Sequence, residues 1–277
     1  MNFTGNPIGV QLYSLREECK IDFPGTLKKV AEIGIGSVEF AGLHGHKPEE
    51  IKEVLAEAKL KSPSCHVGLN ELESNFDQII KDYVTVLGCK YVIVPNGPRK
   101  YDDGGKTWQD IAAAIHKMKQ RCDNAGVKLA YHNHAFEFEN ALEGKTAFDV
   151  MFHDNPDTAP ICEMDICWVA KGKHDPVNEM RRLKGRVKLL HVKDLDPGPP
   201  PRDTEVGSGI IQWNAIYKTA AEVGVEWLII ERDNPIGSGL ESIKQSLAYL
   251  KSQGLEKVTG SVNDGVTSAS GVTSGTV

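Results

Sequence analysis

Val127-Lys128-Leu129-Ala130-Tyr131-His132-Asn133-His134-Ala135-Phe136-Glu137-Phe138 opens as a short buried strand, then places three groups able to bind a metal or move a proton within six residues. Alternate strand residues share a face, so His132 and His134 point the same way, with Glu137 just past the strand end. A solvated loop with two chance histidines is the plain alternative for this stretch taken alone. The rest of the chain decides between them.

Working outward, apolar runs of strand length recur at 8–13, 37–40, 62–66, 91–94, 161–165, 187–192 and 227–230. Helical periodicity lies between them. The clearest helix carries Trp108, Ile111, Ala112, Ile115, Met118 and Cys122 on one face and closes at Gly126. Asp22 before Pro24 opens another, and Gly34 ends it. Eight alternating strand and helix units, with no linker between them, predict an α/β fold of one kind: a single (β/α)8 TIM barrel over residues 1–258. The Ser, Thr, Gly and Val-rich stretch 259–277 reads as a disordered tail. A doubly wound sheet is the competing architecture, but its dinucleotide fingerprint is missing. Gly34-Ile35-Gly36 lacks a third glycine, and Gly207-Ser208-Gly209 runs into Ile210-Ile211-Gln212.

Bulk properties narrow the function classes. The formal charge of -6 over 277 residues gives no basic field for nucleic acid. No apolar stretch is long enough to span a membrane, and the first residues lack the basic and apolar pattern of a secretory signal, so a cytoplasmic protein is expected. The six cysteines form no C-x-x-C pair and several sit in apolar contexts, which reads as buried thiols in a reducing compartment.

Functional side chains of such barrels lie at the C-terminal strand ends, and here those ends are crowded with titratable groups. Strand two carries Glu39, strand three His66, strand five His132 and His134, strand six Asp165, strand seven His191 and Lys193, and strand eight Glu231. Carboxylates and imidazoles converging on one mouth are costly to desolvate unless a cation binds them together. Asp165, His191 and Glu231 are the expected metal ligands, with Glu137 as the fourth and His132 as its alternative. The set contains no thiolate and suits one divalent ion: Mn²⁺, Mg²⁺, Co²⁺, Fe²⁺ or Zn²⁺.

Between about Ile8 and Leu250 the chain resembles the sugar phosphate isomerases and epimerases of the xylose isomerase-like barrel superfamily, which also holds inosose dehydratases and endonuclease IV. The residues that carry the resemblance are Val10-Gln11-Leu12-Tyr13-Ser14, Tyr131-His132-Asn133-His134 with Glu137-Phe138, Met164-Asp165 with Trp168, His191-Val192-Lys193-Asp194, Gly207-Ser208-Gly209 and Glu231. It implies a metal-dependent isomerase or epimerase acting on a small carbohydrate through an enediolate. His132, His134 or Glu231 would then be the base, and Lys193 would neutralise charge.

Gln11, Glu39, His66, Trp168 and Arg232 are expected to contact substrate, the Pro197–Pro201 loop to act as a lid, and Gly237-Ser238-Gly239 to be a candidate phosphate cradle. A lyase or dehydratase acting on a keto-sugar, keto-glycoside or inosose through the same residues is the alternative. An endonuclease IV-like enzyme would want a histidine where Trp168 stands, and a sugar-binding barrel without chemistry is the remaining reading. A homo-oligomer is compatible with such a barrel, and no stretch defines its interface.

Overall fold

Short apolar runs buried on both faces can only be satisfied in a parallel sheet covered by helices. The computed structural model, which describes residues 8–97, 102–103, 106–139, 141–142, 144–154 and 156–254, has that form. Its barrel strands are β1 (Ile8–Gln11), β2 (Ser37–Phe40), β3 (Lys61–His66), β4 (Tyr91–Val94), β5 (Lys128–His132), β6 (Ile161–Asp165), β7 (Val187–Val192) and β8 (Trp227–Ile230). All neighbours pair parallel, and β1 pairs with both β2 and β8, closing the barrel. The sequence reading of 259–277 as a tail lies outside the described residues.

Local signals account for the outer helices. Asp22 accepts from the Gly25 N–H at the start of Phe23–Glu32, and Thr107 and Asp110 cap Trp108–Asn124 reciprocally. That helix buries Trp108, Ala112, Ile115, Met118 and Cys122, the predicted face. Three local expectations change. Leu12–Leu15 is a 3-10 turn, not the end of β1, and the helical run after β3 breaks at Asn75 before a π-helical stretch, Ile80–Val86. A helix absent from the sequence reading, Ile166–Lys171, follows β6 because the Asp165 carboxylate caps it through the Trp168 N–H at 2.9 Å. All six cysteines are buried and unpaired. Among the described residues no helix is long and apolar enough to cross a membrane.

The period of two sorts the barrel interior into layers. Tyr91, Ile93, Ala130 and Leu189, with Ile161 and Trp227 packed against them, form an apolar plug. One step nearer the C-terminal ends on the same faces come His132, Glu163 and His191. A further step reaches His134, Asp165 and Lys193.

The loop after β7 is pinned. Asp194 is fully buried and accepts from the N–H groups of Leu195, Gly207 and Ile211 and from the Trp213 indole, at 2.7–3.0 Å. A Cβ on Gly209 would stand 2.4 Å from both Asp194 Oδ1 and the Leu195 carbonyl, and one on Gly207, at φ +87°, 2.2 Å from the Tyr249 ring. These close approaches explain the Gly-Ser-Gly motif. Pro197–Pro201, the expected lid, joins two short paired strands, Asp194–Asp196 and Arg202–Thr204, whose base is held by this carboxylate. Replacing Asp194 by Ala leaves its donors without an acceptor, and a loss of about 3–5 kcal/mol is expected. Urea unfolding should show the midpoint fall with the slope unchanged; a loss under about 1 kcal/mol would show that water replaces the carboxylate.

Candidate functional site

Above the plug, hydrogen bonds follow strand register. Gln11, Glu39 and Ser64 stand side by side across β1, β2 and β3, and Gln11 Nε2 and Ser64 Oγ both donate to the Glu39 carboxylate. Glu39 Oε1 also lies 2.7 Å from His191 Nε2 and 3.0 Å from His66 Nε2. The other face of the His191 ring looks outward, with Nδ1 2.8 Å from Glu231 Oε2. Lys193, fully buried, sits 2.7 Å from Glu231 Oε2 and 3.0 Å from Asp165 Oδ2, and also pairs with Asp233.

Two overlapping sets of donors result. His132, Asp165, His191 and Glu231 have ligand atoms all within 4.8 Å of one another, as do His66, His132, Glu163 and His191. His132 and Glu231 of the first set, and His66 of the second, line a cavity of about 970 Å³ at the C-terminal mouth, whose wall also includes His134, Trp168 and Asp233, while Asp165 and His191 lie buried behind it. The Trp168 and His134 rings stack there, 5.8 Å apart and 25° from parallel.

Burial sets the electrostatics, and neighbouring charges divide the groups. Burial and the adjacent Lys193 push the His134 imidazole down to about 3, so it is neutral across the physiological range. Burial and the nearby His191 hold His132 well below its ordinary value too. His191 goes the other way: burial opposes its charge, but Glu163, Glu231 and Glu39 raise it well above 6.5. Burial likewise opposes the Lys193 charge, yet Asp165, Asp233 and Glu231 keep it an ammonium ion. Asp165 is raised by burial to about 7, even beside that ammonium.

The sequence-predicted residues divide accordingly. His132, Asp165, His191 and Glu231 are brought together, with Lys193 among them and His134 on the cavity wall. Glu137 is a correction. Its Oε1 accepts from the Tyr131 hydroxyl at 2.7 Å and its Oε2 from the His134 N–H at 2.8 Å, and it belongs to neither donor set. His132, its alternative, is the strand-five member of both donor sets. Of the expected substrate contacts, His66 and Trp168 line the cavity. Gln11 and Glu39 do not, being fully buried in the hydrogen-bonded layer below. Arg232 points elsewhere, paired with Asp203 and Glu205. The phosphate cradle is likewise filled from within, because Glu18 Oε1 accepts from the N–H groups of Gly239 and Leu240. Glu163 went unrecognised in the sequence, although its place two residues before Asp165 puts it on the same inward face. Asp233, in the loop after β8, carries no such signal.

The residues present suit a divalent ion. The mouth set mixes nitrogen and carboxylate donors, and Asp165 Oδ2 is buried without a hydrogen bond of good geometry.

Fold and site together define a (β/α)8 barrel with a metal-competent mouth. The model of one family, the xylose isomerase-like TIM barrel, matches residues 27–253, and the chain belongs to that family. Over 190 residues it is 23% identical to an inosose dehydratase of Geobacillus kaustophilus (strain HTA426), a match covering 61% of this chain and 61% of that protein, so the chain spans about three fifths of the relative's length. A sugar phosphate isomerase/epimerase from Parabacteroides distasonis ATCC 8503 superposes with TM-score 0.76 at 24% identity, over 89% of this chain and 98% of its own. An IolI protein with a bound zinc atom does so with TM-score 0.66 at 13% identity, over 88% and 97%. Both structural likenesses are of fold.

Glu137 offers a pH test away from the donor sets. Burial raises its carboxyl from 4.5 to about 8, against the lowering effect of the Tyr131 and His134 hydrogen bonds. Between those values the folded chain keeps a proton that the unfolded chain has lost. The stability this group contributes is therefore present below pH 4.5 and is lost as pH rises toward about 8. Each unit of separation is worth about 1.4 kcal/mol. The Glu137→Gln variant should lose less stability than the parent between pH 5 and pH 8 in urea unfolding, and equal losses would rule the shift out.

Proposed function

We propose that the protein is a divalent-metal-dependent carbohydrate isomerase or epimerase working through an enediolate. What carries this reading is the convergence of His132, Asp165, His191 and Glu231 on one another beside a cavity of about 970 Å³ that His132 and Glu231 line, a volume suited to a small carbohydrate. An ion held by those four residues supplies Lewis-acid polarisation to a substrate carbonyl and charge stabilisation to the enediolate. The proton belongs to His134. Its imidazole borders the cavity beside His132, and its Nδ1 has no hydrogen-bond partner, which leaves that nitrogen open to take up a carbon-bound proton and return it. Lys193, held as an ammonium ion between Asp165 and Glu231, places positive charge where an oxyanion develops.

The cavity wall favours an uncharged, hydroxyl-rich substrate. Glu71, Glu139, Glu231 and Asp233 line it against Lys171, and the Gly-rich turn after β8 already binds Glu18.

The relationship to an inosose dehydratase favours a second reading, a lyase in which the same proton abstraction is followed by loss of a group from the next carbon. Product NMR in deuterated water separates the two. The Co²⁺- or Mn²⁺-loaded protein is incubated with ketoses, inososes and 3-keto-glycosides. Deuterium at the carbon beside the carbonyl, in an epimer or isomer, supports the leading reading; an unsaturated or cleaved product supports the lyase. With either product, His134→Ala should lower kcat by about 10²–10⁴-fold. Neither exchange nor turnover would leave a sugar-binding barrel.

A further inference from the structure

One layer below the mouth, three imidazoles crowd a single oxygen. His66 Nε2, His132 Nδ1 and His191 Nε2 lie 2.7, 3.2 and 3.2 Å from Glu163 Oε2. Glu163 and His191 are fully buried, and His132 is nearly so. The second oxygen of the same carboxylate, Oε1, is also buried and has no hydrogen-bond partner. A layer built only for hydrogen bonding would share three donors between the two oxygens. The four donor atoms also lie within 4.8 Å of one another, close enough to draw in around one small cation, whose tetrahedral bonds of about 2.0–2.1 Å place donors roughly 3.3–3.4 Å apart.

We infer that His66, His132, Glu163 and His191 form an inner binding site for a divalent transition ion that prefers imidazole, such as Zn²⁺ or Co²⁺. The inference rests on the metal reading above and gives the ion a resting position below the mouth set. Two observations favour the lower level. The Lys193 ammonium stands between Asp165 and Glu231, so a dication in the mouth set meets a like charge. The inner set has Glu39 Oε1 beside it, within 3.0 Å of both His66 Nε2 and His191 Nε2, and its cationic groups are imidazoles that can give up their protons to a metal.

The two levels share His132 and His191 through opposite ring nitrogens. His132 turns Nδ1 to Glu163 and Nε2 toward Asp165 at 4.0 Å; His191 turns Nε2 to Glu163 and Nδ1 to Glu231. A neutral imidazole has one lone-pair nitrogen. Each histidine therefore ligates at one level at a time, and the levels are alternatives for one ion.

The test loads the chelator-stripped full chain with Co²⁺ alone, in the parent and in His66→Ala, Glu163→Gln and Asp165→Asn. Bound metal is counted by elemental analysis, imidazole ligands by X-ray absorption, and folding by circular dichroism. About one equivalent with three imidazoles is expected in the parent and in Asp165→Asn, with binding at least ten-fold weaker in the other two variants. If His66→Ala does not fold, Glu163→Gln and the imidazole count decide. Metal lost in Asp165→Asn but kept in His66→Ala and Glu163→Gln, with two imidazoles, overturns the inner site and leaves the mouth reading standing. Two equivalents in the parent overturn the alternation. A folded parent that binds no Co²⁺ removes the inner site and the metal reading together.

Discussion

Charge compensation inside the barrel is the constraint on which the rest depends. Glu39, Glu163 and Asp165 are fully buried and Glu231 nearly so, and so much negative charge cannot be desolvated alone. The barrel interleaves it with His66, His132, His191 and Lys193, so that each carboxylate has a cationic or ionisable neighbour. His191 does most, since its two nitrogens reach carboxylates in two layers. Placing these groups on or just beyond six strands of a closed eight-stranded sheet fixes their spacing, because the backbone of one strand cannot move without its neighbours.

The architecture was legible because each strand is short, apolar and followed by an amphipathic helix. Much of the site was legible for the same reason, since residues at strand ends have a known direction. Asp165, His191 and Glu231 illustrate this. The reading failed where direction is set by local hydrogen bonds. Glu137 follows β5, and its sequence neighbourhood does not reveal that it folds back onto Tyr131 and the His134 N–H. Glu163 stands two residues before Asp165, so the alternation that points to Asp165 places it on the same inward face.

Loops resisted for a related reason. The proline-rich segment after β7 has the composition of a mobile cover, and Asp194, in the strand-end motif, gathers four N–H donors that tie down the backbone on either side of it. The glycine-rich turn after β8 has the composition of an anion cradle, yet its anion comes from Glu18, more than two hundred residues earlier in the chain. At this turn a side chain distant in sequence occupies the role that composition left open, and only the folded chain brings it there.

The apolar plug has a consequence for traffic. Tyr91, Ile93, Ala130 and Leu189 stop the barrel from below, so whatever reacts above them has one doorway, shared by arrival and departure. A product that lingers there blocks the next molecule outright. Passage through the barrel can then be no faster than the rate at which the doorway clears.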